Sequence, residues 1–167
     1  SDIGIINQIL MNLHIVDKPV EWLAHGNTAM ASIIVANVWK GVPFNMILLA
    51  TALTTVPADV YESASIDGAN RLHRFFYITI PLLKPAIVSV LTLGFIYTFK
   101  VFDLVYVITG GGPGSSTEML STLAYRYSFN EYNFSQGAAV ANVLFILLML
   151  VGLVYIKIVT KEDGGDR

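Results

Sequence analysis

Three charged residues lie inside long apolar stretches of the sequence, where ion pairing or solute binding is the chemistry open to them. Lys40, Lys100 and Asp103 each have mainly apolar neighbours. Because a charge in hydrocarbon is costly, such side chains usually face a protein interior or a water-filled path. Lys100 and Asp103 stand three residues apart, as neighbours on one helix face do, so they either pair or contact a solute. For Lys40, the alternative to a solute contact is anchoring a bend beside Gly41 and Pro43.

Aromatic residues share helix faces with these charges. Phe44 follows Lys40 by four residues, and Tyr97 precedes Lys100 by three. Ring faces beside hydrogen-bonding groups suit a ligand that offers both apolar surface and hydroxyl groups, as a sugar does. The sequence therefore predicts a translocation path lined by Lys40, Phe44, Tyr97, Lys100 and Asp103.

Signals of enzyme chemistry are missing from the sequence. The chain has no cysteine, and its histidines, at 14, 25 and 73, lack the spacing of metal ligands. The glycine run at 110–114 is not followed by the lysine of a phosphate-binding loop, so we expect no ATP hydrolysis by this chain. A net charge of −2 provides no basic surface for nucleic acid. We predict no catalytic residue, no cofactor, no metal site and no nucleic-acid partner.

Three apolar segments must position the residues of the predicted path. Of the 167 residues, 54% are apolar and only 13% are charged, too few polar residues to cover a soluble domain. The segments 29–53, 86–109 and 137–159 are each long enough to cross a hydrocarbon core of about 30 Å as a helix. The sequence predicts an all-α fold, a polytopic membrane helix bundle with three transmembrane helices in contact with lipid.

The distribution of lysine and arginine predicts the orientation of the bundle, because cytoplasmic connections carry an excess of these residues. The connections on the other side hold only Lys18 and Arg126. Residues 54–85 and the C-terminus are therefore predicted in the cytoplasm, and residues 1–28 and the loop 110–136 outside. The six cations that mark the cytoplasmic side are Arg71, Arg74, Lys84, Lys157, Lys161 and Arg167.

The connection 57–81 predicts a helix–turn–helix at the membrane surface. Pro57 suits the first turn of a helix, and Glu62 suits its positive end. Gly68 ends that helix because glycine accepts a positive φ, and a second short helix is expected from about residue 70. An ordered unit with one apolar side needs a surface on which to dock.

This connection resembles the coupling loop of bacterial ABC-importer permeases, which carries Glu-Ala-Ala, three residues, Gly, nine residues and Ile-x-Leu-Pro. Here the match reads Glu62-Ser63-Ala64, then Gly68, then after nine residues Ile78-Thr79-Ile80-Pro81. Ser63 and Ile80 depart from the pattern by small or same-class changes. The strings at 39–44, 64–69 and 109–113 resemble the carbohydrate-uptake branch of the family.

The resemblance implies a multi-pass permease subunit of the bacterial plasma (inner) membrane that couples to separate ATP-binding subunits. It implies that Glu62 is the polar contact to those subunits, that Ala64 and Ala69 allow close approach, and that Gly68 sets the turn. For Phe75, packing on this chain's own helices is the alternative. The full implied coupling set is Glu62, Ser63, Ala64, Asp67, Gly68, Ala69, Phe75 and Pro81.

The resemblance also implies a second permease subunit, an extracytoplasmic solute-binding protein and a sugar substrate. Family members usually have more spanning helices than this chain, so 1–167 is expected to be one permease domain from the C-terminal part of such a protein. Two alternatives stay open. One is import of another solute, such as glycerol phosphate, phosphate or an amino acid, and the other is a membrane scaffold that does not transport.

Overall fold

A computed structural model of the chain describes residues 4–163, with side chains as far as Ile158. The described residues form helices and turns and contain no strand. Two of the helical stretches are single π turns, Phe75–Thr79 and Arg126–Asn130. The α-helices are α1 (Ile5–Asn12), α2 (Gly26–Thr54), α3 (Ala58–Ile66), α4 (Arg71–Arg74), α5 (Ile80–Phe99), α6 (Asp103–Ile108), α7 (Leu120–Tyr125) and α8 (Phe134–Asp163).

Three of these helical stretches are long and apolar enough to cross a membrane, namely Gly26–Leu53, Arg71–Phe99 and Phe134–Ile158. The predicted all-α bundle with three membrane helices is therefore confirmed. The side chain of Lys161 and the residues 164–167 lie outside the described residues. The predicted position of the C-terminus, which depends on that region, stays a prediction.

The second span differs from the predicted segment 86–109 at both ends. It begins at Arg71, because α4, the first π turn and α5 form one continuous helix. The second short helix expected after Gly68 is therefore the first turn of this span. The span ends at Phe99, and α6 is a separate helix after the break at 100–102. The break could not be predicted from the amino-acid composition, because apolar residues continue on both sides of it.

Packing against α2 and α7 stabilises the break between α5 and α6. Val101 and Val105 are buried with Ile33 of α2, in a cluster that forms the apolar core at this level. The hydroxyl of Ser121 in α7 donates a hydrogen bond to the carbonyl oxygen of Val101. A buried backbone carbonyl freed from its helix needs such a partner, because an unpaired one costs free energy.

A side-chain clamp connects α1 to the segment that leads into α2. The buried Asn7 donates a hydrogen bond to the carbonyl oxygen of Val20 (3.0 Å) and accepts one from the Val20 amide (3.2 Å). Its side-chain oxygen also accepts a hydrogen bond from Trp22 Nε1 at 2.9 Å. One asparagine thus orients the whole segment before the first span.

Gly137 permits the close contact between α8 and the helical segment before it. A Cβ atom at this position would overlap the Ser128 hydroxyl and lie 3.0 Å from the carbonyl oxygen of Ala124. We expect Gly137→Leu to destabilise the bundle by about 1–3 kcal/mol, the usual cost of overpacking. The melting temperature of the purified protein tests this expectation. Gly152→Leu is the matched control, because no described atom would lie within 4 Å of its Cβ. Equal losses in the two variants would contradict the packing role of Gly137.

Candidate functional site

The structure brings all five residues of the predicted translocation path together where α2 meets the end of the second span. Lys40 Nζ of α2 lies 2.8 Å from Asp103 Oδ2 at the start of α6. One turn further along α2, the Phe44 ring meets the Tyr97 ring edge-on, with 6.4 Å between centroids. Lys100 Nζ lies over the same Tyr97 ring, 4.9 Å from its centroid. The contacts form two groups, the Lys40–Asp103 ion pair and the Phe44–Tyr97–Lys100 cluster, and α2 holds Lys40 and Phe44 one turn apart.

Asp103 does not pair with its sequence neighbour Lys100, which was one of the two expectations for these residues. Its partner is Lys40, 63 residues away. Lys100 and Asp103 do not share a helix face, because the helix breaks between them. Lys100 caps the end of α5, and α6 begins at Asp103. Lys40 is accordingly held by an ion pair as well as standing beside Gly41 and Pro43 in α2.

The ion pair between Lys40 and Asp103 is exposed in the part of the chain that the structure describes. The side chain of Lys40 is 54% exposed and that of Asp103 is 70% exposed. A fully buried ion pair would be sealed from a solute, whereas these groups keep free hydrogen-bonding positions on the nitrogen and both oxygens. The arrangement can therefore offer donors, acceptors and ring faces to a polar solute.

An aromatic array begins at Phe102, next to Asp103 in the chain, and runs towards α7. The sequence pattern offered Phe102 as a ring face for a sugar but did not place Tyr106, Tyr125 or Phe129 in the site. The Phe102 ring stacks on Tyr106, and both contact Tyr125 at centroid distances of 5.1 Å. Phe129 extends the array from Tyr125 at 5.0 Å. Tyr106 lies four residues after Phe102 on the same face, which is the only sequence signal that links them.

The connection from α6 to α7 is ordered by its threonines. Thr117 is fully buried, donates a hydrogen bond to the carbonyl oxygen of Gly112 (2.7 Å) and contacts the Thr109 hydroxyl at 2.8 Å. Glu118, just before α7, forms an ion pair at 3.1 Å with Arg126, just after α7, and so ties the connection to the second π turn. The predicted loop 110–136 is thus a folded segment that holds α7 and the second π turn against α8.

At the other end of the second span, a hydrogen-bonded turn closes α3. Gly68 has φ of +81°, and its amide donates to the carbonyl oxygen of Ser65 at 3.1 Å. The Ala69 amide donates to the carbonyl oxygen of Ala64 at 2.9 Å. These two hydrogen bonds, together with the left-handed backbone conformation of Gly68, form the Schellman motif of helix C-termini. Gly68 therefore sets the turn by its backbone conformation.

The coupling residues implied by resemblance divide between two faces of α3 and its turn. Glu62, Ser63 and Asp67 are exposed, and Ile66 beside them is 87% exposed. Ala64, in contrast, is buried within this chain. The close approach of Ala64 to a partner stays a prediction.

The remaining coupling residues lie where the turn enters the second span. Ala69 is half-buried, and the exposed Phe75 meets Phe76 edge-on at 5.1 Å. Pro81 opens α5 directly after the π turn. In a regular helix, the ring of a proline clashes with the backbone carbonyl one turn earlier. The wider π turn before Pro81 leaves space for that carbonyl. Among the described residues, no three histidine, aspartate or glutamate side chains are grouped so as to hold a metal ion.

Relatives with known names match nearly the whole chain. It is 42% identical to the trehalose/maltose transport system permease protein MalF of Thermococcus litoralis, over 93% of this chain and 52% of that protein. It is 37% identical to the sulfoquinovosyl glycerol transport system permease protein SmoG of Agrobacterium fabrum, over 96% of this chain and 51% of that protein. The chain thus spans about half the length of these relatives.

A solved structure shares the fold. A chain of a bacterial alginate ABC transporter, in complex with an alginate pentasaccharide-bound periplasmic protein, superposes with a TM-score of 0.80 at 22% identity. The superposition covers 91% of this chain and 52% of the other. Residues 5–161 match the family model described as binding-protein-dependent transport system inner membrane component, a family of ABC transporter membrane permeases and not of enzymes. The chain belongs to this family of inner-membrane permease components.

Proposed function

We propose that the chain is part of a transmembrane permease subunit of an ATP-driven ABC importer that carries sugars. The observation that carries this proposal is the pattern at 62–81, which forms an exposed helix and turn continuous with a membrane-spanning helix. Such a unit can receive a movement outside the membrane and pass it to a helix inside. ATP binding and hydrolysis are assigned to separate subunits.

The partners follow from the same proposal. The exposed face of α3, with Glu62, Ser63, Ile66 and Asp67, docks on a cytoplasmic ATP-binding subunit, where Glu62 meets a basic group. A second permease subunit completes the path, and an extracytoplasmic binding protein delivers the solute to the side that holds α7. This places α3 and the C-terminus in the cytoplasm and the segment 110–136 outside.

A sugar is the proposed solute because the cluster at Lys40 combines ring faces with hydrogen-bonding groups, and because the named relatives transport trehalose or maltose and sulfoquinovosyl glycerol. In this proposal, Phe44 and Tyr97 offer ring faces, while Lys40, Lys100 and Asp103 offer donors and acceptors. Import of another solute class, such as glycerol phosphate, phosphate or an amino acid, is the second candidate. It would use the same coupling unit.

Uptake in the assembled transporter that contains this chain tests the proposal. We expect ATP-dependent accumulation of at least one radiolabelled sugar in proteoliposomes, and no accumulation when the ATP-binding subunits are left out. A panel of sugars, glycerol phosphate, phosphate and amino acids separates the candidates. If a non-sugar solute accumulates and no sugar does, the proposed solute class is wrong. If no solute of the panel accumulates with the binding protein present, the proposal that the transporter is an importer is contradicted.

A further inference from the structure

Two hydrogen bonds join α3 to the beginning of the second span, in addition to the turn at Gly68. The first links the Tyr61 hydroxyl to the Thr79 hydroxyl, with 3.0 Å between the oxygens. Thr79 is only 7% exposed, although it stands in a part of the chain where most large side chains are exposed. A buried hydroxyl pair at this position fixes the distance between α3 and the span.

The π turn explains how Thr79 reaches Tyr61. In an ordinary helix, a threonine hydroxyl bonds to the carbonyl three or four residues earlier. Here the Thr79 hydroxyl donates to the carbonyl oxygen of Arg74, five residues earlier, at 3.4 Å. That bond uses the proton of Thr79, so the Tyr61 hydroxyl is the donor to Thr79 Oγ1. The extra residue of the π turn therefore orients Thr79 as an acceptor towards α3.

The second bond lies one turn away on each helix. Arg74 donates from its guanidinium to Ser65 Oγ at 2.6 Å, and the Ser65 hydroxyl donates to the carbonyl oxygen of Tyr61 at 2.7 Å. Tyr61 and Ser65 are one turn apart on α3, on the side that carries the buried Ala64. Tyr61, Ser65, Arg74 and Thr79 thus form two parallel connections, which we name the α3 clamp.

We infer that the α3 clamp makes α3 a rigid extension of the second span, so that a displacement of α3 rotates or tilts the span instead of bending the turn at Gly68. The inference rests on the proposed function, and it adds four positioning residues outside the implied coupling set. Apart from the α3 clamp, the chain that links α3 to the span is residues 67–70, which include a glycine. A short turn with one glycine is a hinge that absorbs motion. Two side-chain hydrogen bonds, one helical turn apart along α3, prevent α3 from rotating about this turn.

The double variant Tyr61→Phe/Thr79→Val tests the α3 clamp, because it removes both hydroxyls while keeping the ring and the branched shape. In proteoliposomes of the assembled transporter, we expect sugar uptake to fall about three- to tenfold while binding-protein-stimulated ATP hydrolysis changes less than twofold. The ATP hydrolysed per sugar imported therefore rises about three- to tenfold. A structural role alone lowers uptake and hydrolysis together and leaves their ratio unchanged.

Two matched controls remove hydroxyls elsewhere in the same span. Tyr77→Phe changes a tyrosine that is 70% exposed, and Thr92→Val removes a hydroxyl that bonds within its own helix, to the carbonyl oxygen of Val88. Both should keep the wild-type ratio. If the double variant, and a triple variant that adds Ser65→Ala to remove the acceptor of Arg74, both keep that ratio, the α3 clamp does not transmit motion. The proposed function then stands as long as Gly68→Pro abolishes uptake. If Gly68→Pro leaves uptake intact, the coupling assignment itself fails.

Discussion

Replacing Gly68 by proline should abolish uptake in the assembled transporter, by at least about 100-fold. Proline cannot adopt the φ of +81° that Gly68 has, and it lacks the amide that donates to the carbonyl oxygen of Ser65. Losing the left-handed turn and one of its two bonds costs about 3 kcal/mol, which corresponds to roughly that factor. The measurement is initial uptake per amount of permease in the membrane, with ATP hydrolysis measured in parallel.

A graded series at Gly68 separates backbone conformation from crowding. A Cβ added to Gly68 would meet no other side chain or distant backbone atom within 4 Å, so asparagine and alanine act through φ and not through crowding. Asparagine tolerates the left-handed region better than alanine does, and alanine costs about 1–2 kcal/mol there. We therefore expect Gly68→Asn to retain more uptake than Gly68→Ala, and proline to retain least. An order that follows side-chain size would contradict the account of the turn.

Reversing the charge of Lys40 or of Asp103 should also cause a large loss of uptake. Each variant, Lys40→Asp or Asp103→Lys, replaces the 2.8 Å ion pair by two like charges between α2 and α6. Two like charges about 4 Å apart repel by about 1–4 kcal/mol between the dielectric of water and that of a protein surface, so each single variant should lose about tenfold or more in uptake. The exchanged pair, Lys40→Asp/Asp103→Lys, restores attraction between the helices.

The exchanged pair distinguishes two uses of these residues. If the ion pair serves only to hold α6 against α2, the double variant should recover most of the uptake. If the side chains also contact the sugar, recovery should be partial and the apparent KM for the sugar should rise. We expect partial recovery, because both side chains are more than half exposed beside the Phe44 and Tyr97 rings. A double variant no better than either single variant would contradict the ion pair. Lys18→Asp, in an exposed position before the first span, is the control for added negative charge.

Patterns that depend on neighbours along the chain were readable in the sequence. Runs of apolar residues located all three membrane helices, and the glycine at 68 located the turn that closes α3. The proximity of Lys40 to Asp103 and of Phe44 to Tyr97 agrees with charges and rings of two spans facing one interior, and their role in a translocation path stays a prediction. These features depend on composition and period, which a sequence displays directly.

Features that depend on contacts between distant segments were not readable. The pairing of Asp103 with Lys40 requires the helix to end at Phe99, and nothing in the apolar composition around that residue marks an end. The Tyr61–Thr79 bond requires a π turn, which has no simple sequence signature. The burial of Ala64 within this chain also depends on the fold, because the family pattern names the residue without giving the direction of its side chain. In each case tertiary packing, and not local preference, decided the outcome.

Attachment of a photoreactive group at residue 66 tests the central claim, that α3 docks on an ATP-binding subunit, most directly. The chain has no cysteine, so Ile66→Cys provides a single thiol for a benzophenone maleimide, at a side chain that is 87% exposed. Asn130→Cys, exposed in the segment proposed to lie outside, is the matched control. Illumination of the assembled transporter should link residue 66 to the ATP-binding subunit and residue 130 to no such subunit. Two results together would contradict the claim. One is that residue 66 forms no cross-link to the ATP-binding subunit, and the other is that the unmodified Ile66→Cys thiol is labelled by an impermeant maleimide added outside.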